Sequence, residues 1–222
     1  MNLKDKQKKK NGTPFLRSFY SEMIKLFGGP WLCLYLRPRV HRISSDVPKR
    51  IKGGALIAAN HTSMLDPLVL FCVFWYRRLY FPATKQLFEK PINRFFFYNM
   101  NCIRIDKDSA NIGALKHMCG LLKKERVIGI FPEGGINNTE DILSYKSGTA
   151  YMALKSGKPV FPVYIANREN RKQPTHVILG EPVDVTAICD GLPKSERIAC
   201  VSEYLRDAEL RLEEYYNTKI KV

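Results

Sequence analysis

The sequence predicts an α/β fold: a central, largely parallel sheet flanked by helices, with an N-terminal amphipathic helical pair ahead of it. Three observations carry this. From residue 54 onward, short apolar runs alternate with stretches of helical periodicity. Ahead of residue 38, apolar side chains recur in pairs every four positions. And 222 residues with 45% hydrophobic content are enough for one domain with a real core, while 26% charged content excludes a low-complexity chain.

Residues 1–13 (MNLKDKQKKKNGT) read as a basic flexible tail, and residues 14–38 as amphipathic membrane-docking helices. In the first helix Phe15, Leu16, Phe19, Tyr20, Met23, Ile24 and Phe27 form one face, with Arg17, Ser18, Ser21, Glu22 and Lys25 between them. Gly28-Gly29-Pro30 is expected to break the helix before a second apolar piece, Trp31–Leu36, which Arg37-Pro38-Arg39 closes. These segments could pack on the domain's own core. Flanking cations and aromatic enrichment favour the other reading, an interfacial anchor. Each large apolar side chain buried is worth ~1.5–3 kcal/mol, and each nearby cation adds roughly 1 kcal/mol at an anionic leaflet. No run of about 18 apolar residues suggests a transmembrane span, and the polar first ten residues do not suit a signal peptide.

The main domain, 39–222, is expected to contain strands at Ala55–Ala59, Leu79–Ala83, Ile103–Asp106, Val127–Phe131, Val160–Ile165 and His176–Leu179. Helices are expected over Pro67–Tyr76, Ile92–Tyr98, Ala110–Lys124, Tyr145–Ser156 and Lys194–Tyr216. Ser109 suits the N-cap of the third, whose Ile112, Leu115, Met118, Cys119 and Leu122 share a face. The six cysteines form no C-x-x-C pair and read as reduced thiols in a cytosol-facing protein, with no metal site.

Charge narrows the partner. The net charge is +15 and the pI near 9.6, and residues 1–52 hold 13 Lys/Arg against 3 acids, so +10 of it. Such an excess calls for nucleic acid, a membrane surface or a phosphorylated substrate. The aromatics lie on apolar faces rather than interleaved with cations, which argues against nucleic acid. P-loop, G-x-G-x-x-G and H-E-x-x-H patterns are absent.

Three segments could carry chemistry. Asn60-His61-Thr62-Ser63-Met64-Leu65-Asp66 follows an apolar strand, at the strand end where ligands gather in open α/β sheets. Across a tight turn, Asp66 can hydrogen-bond His61, fix its tautomer and raise its basicity. Asp66-Pro67 also fits an ordinary N-cap and first helical position. Phe131-Pro132-Glu133-Gly134-Gly135 follows another strand and puts a carboxylate at its carboxyl end, although Pro and paired Gly also suit a plain turn. Arg104 and Lys107, in Ile103–Lys107, could grip a phosphate.

Taken together, these blocks resemble the glycerolipid acyltransferases, the group that includes 1-acyl-glycerol-3-phosphate acyltransferase. N-H-T-S-M-L-D at 60–66 resembles their H-x4-D block, I-R-I-D-K at 103–107 their second and F-P-E-G at 131–134 their third. Ser156–Val163 is similar to the fourth, and Gly180-Glu181-Pro182 to a common end segment. The resemblance implies that residues 39–222 are an acyltransferase domain, with His61 as general base and Asp66 orienting it. The acceptor hydroxyl would attack an acyl thioester directly. Glu133 and Gly134 would position the acceptor, Lys107 with Arg104 would bind its phosphate, and Asn60, Thr62 and Ser63 would support the loop or an oxyanion. No cofactor is implied beyond acyl-CoA or acyl carrier protein as co-substrate. The partners would be a lysophospholipid, most simply lysophosphatidic acid, and the cytoplasmic face of a membrane.

Two departures bear on the acceptor. Lys107 stands where arginine is usual, keeping charge but losing the bidentate fork. Gly135-Ile136 replaces the usual Thr/Ser-Arg, which leaves Arg104, Lys146 and Arg168 to compensate. A hydrolase using Ser63 lacks its G-x-S-x-G elbow, and a non-catalytic basic membrane-binding protein would need none of these blocks.

Overall fold

The computed structural model describes residues 22–106, 111–137, 142–168, 170 and 172–221. The basic tail, most of the first amphipathic stretch, Lys107 and Ser109 lie outside them. Seven strands pair into one sheet: β1 (Arg39–Arg42), β2 (Ala55–Ala59), β3 (Leu79–Thr84), β4 (Cys102–Ile105), β5 (Val127–Ile130), β6 (Val160–Ile165) and β7 (His176–Leu179). Their order is β1-β7-β6-β2-β5-β3-β4. Five run parallel, while β7 pairs antiparallel with β6 and carries β1 parallel to itself. The sheet is therefore largely parallel, with two reversed strands at one end.

Helices cover both faces: α1 (Gly29–Leu36) and α2 (Asp66–Val73) one side, α4 (Ile112–Lys123), α5 (Ser147–Ser156) and α7 (Lys194–Lys219) the other. Among the described residues there are two further α-helices, α3 (Pro91–Asn99) and α6 (Val185–Ile188). The five residues of β2 are all buried, and the period of two splits them between the layers. Ala55, Ile57 and Ala59 join the core with Leu70 and Leu36. Leu56 and Ala58 join that with Met152 and Leu205. Burial on both faces is why this strand reads as an unbroken apolar run.

The break expected at Gly28-Gly29-Pro30 does not form a loop. A π-helical turn, Ile24–Gly28, runs straight into α1. Proline has no N–H and clashes with the carbonyl four residues back, and a widened turn ahead of it relieves both. Leu36 is fully buried, and its carbonyl accepts from the Thr175 N–H at 3.2 Å and hydroxyl at 3.0 Å, so the end of this helix belongs to the core. Leu26 and Phe27 in the π turn, and Trp31 and Leu34 on the outer side of α1, are exposed.

Other differences are local. The helix expected over 67–76 stops at Val73, because the Tyr76 hydroxyl accepts from Ile51 N and Arg77 bonds the Ile51 and Gly53 carbonyls. That expected from Tyr145 begins at Ser147, because the Tyr145 hydroxyl is drawn into a hydrogen bond with Glu209 of α7. Asn111, not Ser109, precedes α4, its side chain bonded to the backbone of Asp106. All six cysteines are free thiols. Among the described residues, no helix is long and apolar enough to cross a membrane.

Candidate active site

Parallel strands deliver their following loops to one edge, and β2, β5 and β6 stand side by side. The loops after them carry His61, Glu133 and Asn167. His61 Nδ1 lies 3.0 Å from Asp66 Oδ2, and Asp66 is only 3% exposed. The same oxygen accepts from the backbone N–H of Thr62 and of Ser63, each at 2.8 Å. The plain N-cap reading of Asp66 therefore fails. The cap of α2 is Leu65, without a side-chain bond, and the Asp66 carboxylate turns back onto the loop.

A carboxylate oxygen only accepts, so Nδ1 carries a proton, and in the neutral imidazole the lone pair is then on Nε2. Among the described residues Nε2 has no hydrogen-bond partner. The ring stacks on Phe131, centroids 4.1 Å apart and planes within 19°. Phe131 in turn stacks on Phe81 at 6.3 Å. Phe131 belongs to the F-P-E-G block yet was not singled out, although an aromatic at a strand's end beside a histidine loop was the available signal.

Glu133, 6% exposed, reaches across from the neighbouring loop, and its Oε1 accepts from His61 N at 3.2 Å. Its other oxygen, Oε2, is buried with no partner among the described residues. Asn137 N donates to the His61 carbonyl at 2.6 Å, a second tie between the loops. Gly134 has φ +78, and a Cβ there would sit 2.6 Å from Lys146 Cδ, Cε and Nζ. Glycine thus allows both the left-handed turn and the passage of the Lys146 side chain.

Asn60 is a clamp: its amide donates to Ile165 O at 2.9 Å and its carbonyl accepts from Ile165 N at 2.7 Å, tying β2 to β6. The Thr62 hydroxyl donates to Asn167 Oδ1 at 2.6 Å. Ser63 Oγ accepts from Leu65 N at 3.2 Å and makes no bond to the imidazole, so it is not set up as a nucleophile. Arg104 is exposed on the edge strand β4, three positions from β2, and forms no hydrogen bond with the site. Lys107 lies outside the described residues. Arg168 turns away, over the Tyr35 ring at 5.4 Å. Of the three, Arg104, Lys146 and Arg168, Lys146 is the one placed beside the loop.

Behind Glu133 lies a buried acid that the sequence did not flag. Glu209 of α7 is 0% exposed and accepts from the Tyr145 hydroxyl. Burial, reinforced by the nearby Glu133 and Glu213 charges, raises its carboxyl to about 8. Among the described residues no cluster of three or more His, Cys, Asp or Glu is arranged to hold a metal ion.

Residues 38–166 match the protein family described as Acyltransferase. A 1-acyl-sn-glycerol-3-phosphate acyltransferase of Borreliella burgdorferi is 30% identical over 129 residues, covering 57% of this chain and 50% of that protein. One of the same description from Bacillus subtilis is 25% identical over 166 residues, covering 72% and 82%. The chain thus spans half the length of the first and most of the second. The crystal structure of the 1-acyl-sn-glycerophosphate acyltransferase PlsC from Thermotoga maritima has a similar fold, with TM-score 0.63 at 24% identity over 89% of this chain and 80% of that one.

Proposed function

This chain belongs to the Acyltransferase family, and on that premise we propose that it moves an acyl chain from a thioester to the free hydroxyl of a lysophospholipid. The acceptor is lysophosphatidic acid, as the names of the relatives suggest, and the product phosphatidic acid. The donor is acyl-CoA or acyl carrier protein. One observation carries the chemistry: a histidine whose Nδ1 is held by a buried carboxylate and whose Nε2 has no hydrogen-bond partner among the described residues.

A hydroxyl is a poor nucleophile at neutral pH, and a positioned base contributes roughly 10²–10⁴-fold. Nε2 takes the acceptor's proton as its oxygen attacks the thioester carbonyl. The carbon–sulfur bond breaks, and the leaving thiolate takes the proton back from the imidazolium. Asp66 stabilises that cation through Nδ1–H without itself being protonated. No acyl-enzyme forms, in keeping with the engagement of Ser63 by Leu65. Glu133 positions the acceptor indirectly, by holding the His61 backbone N–H with Oε1, and Lys146, beside Gly134, meets the acceptor's phosphate.

The enzyme works as a peripheral protein on the cytoplasmic face of the membrane. The exposed Leu26, Phe27, Trp31 and Leu34 support this, as does the charge excess of residues 1–52. The test crosses acyl-CoA and acyl carrier protein donors with lysolipids of several headgroups. His61→Ala should abolish acylation and leave circular dichroism unchanged; turnover at the parent rate in that variant would overturn the mechanism. Lys146→Ala should raise KM about tenfold for lysophosphatidic acid and little for a neutral lysolipid, the loss expected of one charge-assisted hydrogen bond.

A further inference from the structure

Two buried carboxyl oxygens, Glu133 Oε2 and Glu209 Oε1, have no hydrogen-bond partner among the described residues. An oxygen shut away from water is costly unless something bonds it, so each calls for a partner inside the protein. The second oxygen of each side chain is already engaged. Glu133 Oε1 accepts from the His61 backbone N–H, and Glu209 Oε2 accepts from the Tyr145 hydroxyl. Tyr145 is the donor in that bond, because burial, reinforced by the Glu209 charge, holds its phenol well above the usual range.

The backbone brings the three side chains together. Lys146 N donates to Pro132 O at 2.9 Å, which sets Tyr145 and Glu133, each the chain neighbour of a bonded residue, close to one another. Helix α7 grips the same segment: Arg206 donates to Ile142 O from Nε at 3.3 Å and from Nη2 at 3.1 Å. Its guanidinium is thus engaged by a carbonyl, and among the described residues no cation is ion-paired with Glu209 or Glu133. The other groups around Glu209 do not supply one. Glu213, on α7 itself, accepts from the Tyr164 hydroxyl of β6 at 3.2 Å, and further along His176 of β7 packs on Tyr216. Two buried carboxyls without a paired cation cannot both be charged, so one proton serves the pair. Glu209 is fully buried and ionises only at about 8, which makes it the holder of that proton. Its Oε2 accepts from Tyr145, so the proton sits on Oε1. One orphan oxygen is therefore a donor, and the other, on Glu133, an acceptor.

We propose that Glu209 is a positioning residue of the active site: as a neutral acid it gives its Oε1–H to Glu133 Oε2, after a small turn of the carboxyl or across one buried water, and so holds Glu133 on the His61 loop. The inference rests on the acyl-transfer reading given above. Glu209 touches no substrate and acts only through Glu133. When it ionises, the two carboxylates repel, Glu133 loses its grip on the His61 N–H, and the loop that carries the base loosens.

The test compares Glu209→Gln and Glu209→Met with the parent, by acylation of lysophosphatidic acid on both sides of pH 8 and by infrared spectroscopy. Glutamine has the shape of the neutral acid at every pH, with an oxygen for Tyr145 and an N–H for Glu133; methionine offers neither. At neutral pH Glu209→Met should lower kcat about 10-fold or more with circular dichroism unchanged, and Glu209→Gln should recover it. The parent's kcat should fall as pH rises through about 8, while that of Glu209→Gln stays level. The parent should also show the C=O stretch of a protonated carboxylic acid that titrates away near pH 8 and is missing from Glu209→Gln. An alkaline fall unchanged in Glu209→Gln, a parental kcat in Glu209→Met, or a band that survives in Glu209→Gln would each overturn the proposal. If the parent acylates no lysolipid while the band behaves as stated, the acyl-transfer reading falls and the shared proton stands.

Discussion

A single oxygen, Asp66 Oδ2, accepts from His61 Nδ1 and from the Thr62 and Ser63 backbone N–H groups, each within 3.0 Å. The same atom therefore shapes the loop and charges the base. Asp66→Asn keeps the size but loses the negative charge that stabilises the imidazolium. Its kcat should fall about 10²–10⁴-fold while melting temperature and the acceptor's KM change little, which steady-state kinetics and calorimetry would check. The H-x4-D spacing made this pair legible, because both partners sit on one short turn. Glu133 was legible only as a candidate. That its Oε1 meets His61 N depends on β2 and β5 being neighbours, and nothing in either segment states that. Arg104 shows the converse: its residue type invited a phosphate-binding role, but the strand order sets it at the far end of the sheet.

At the scale of elements, Gly129 in the middle of β5 has a role that residue-by-residue reading could not reveal. A Cβ there would lie 2.2 Å from Phe81 Cε1, so the Phe81 ring occupies the place of a side chain. Phe81 supports Phe131, which supports the imidazole. Gly129→Ala must push Phe81 aside and should cost about 1–3 kcal/mol of stability through overpacking. It should also lower kcat by misplacing His61, an effect that Gly113→Ala, whose Cβ meets nothing within 4 Å, would not share. The Asn60 clamp works between elements as well. Asn60→Ala leaves the Ile165 N–H and C=O without their partner, and chemical denaturation should show a loss of about 2–4 kcal/mol. The strands Ala55–Ala59, Val160–Ile165 and His176–Leu179 were legible to the residue because apolar runs end where burial ends. β1 was missed because Arg39-Val40-His41-Arg42 has no apolar alternation; an edge strand of mostly polar residues forms through its partner.

Across the whole molecule the fold class could be read from alternation, but the strand order could not, since it depends on contacts between distant segments. Glu209 shows how far this reaches. It sits mid-helix among 26 residues of mostly polar sequence, so its burial was invisible until α7 was seen packed behind the site. In the unfolded chain its carboxyl ionises near the ordinary 4.5, and in the folded protein at about 8. Between these values the native state holds a proton that the unfolded chain has lost. This contribution to stability therefore declines as pH rises from about 4.5 to about 8 and is gone above it. Glu209→Gln, neutral at every pH, should flatten that decline, and thermal unfolding above pH 8 should show the variant melting higher than the parent.

The pairing of β1 with β7 also orders events in time. His41 and His176, hydrogen-bonded across it at 3.0 Å, are 135 residues apart. At roughly 5–20 residues per second, the ribosome needs on the order of 10 seconds between making one strand and the other. For that interval α1 has left the exit tunnel with its exposed Trp31 and Leu34 while the strand that will anchor its end does not yet exist. A nascent chain of this protein therefore offers its greasiest helix to a bilayer, or to a chaperone, before the domain behind it has closed.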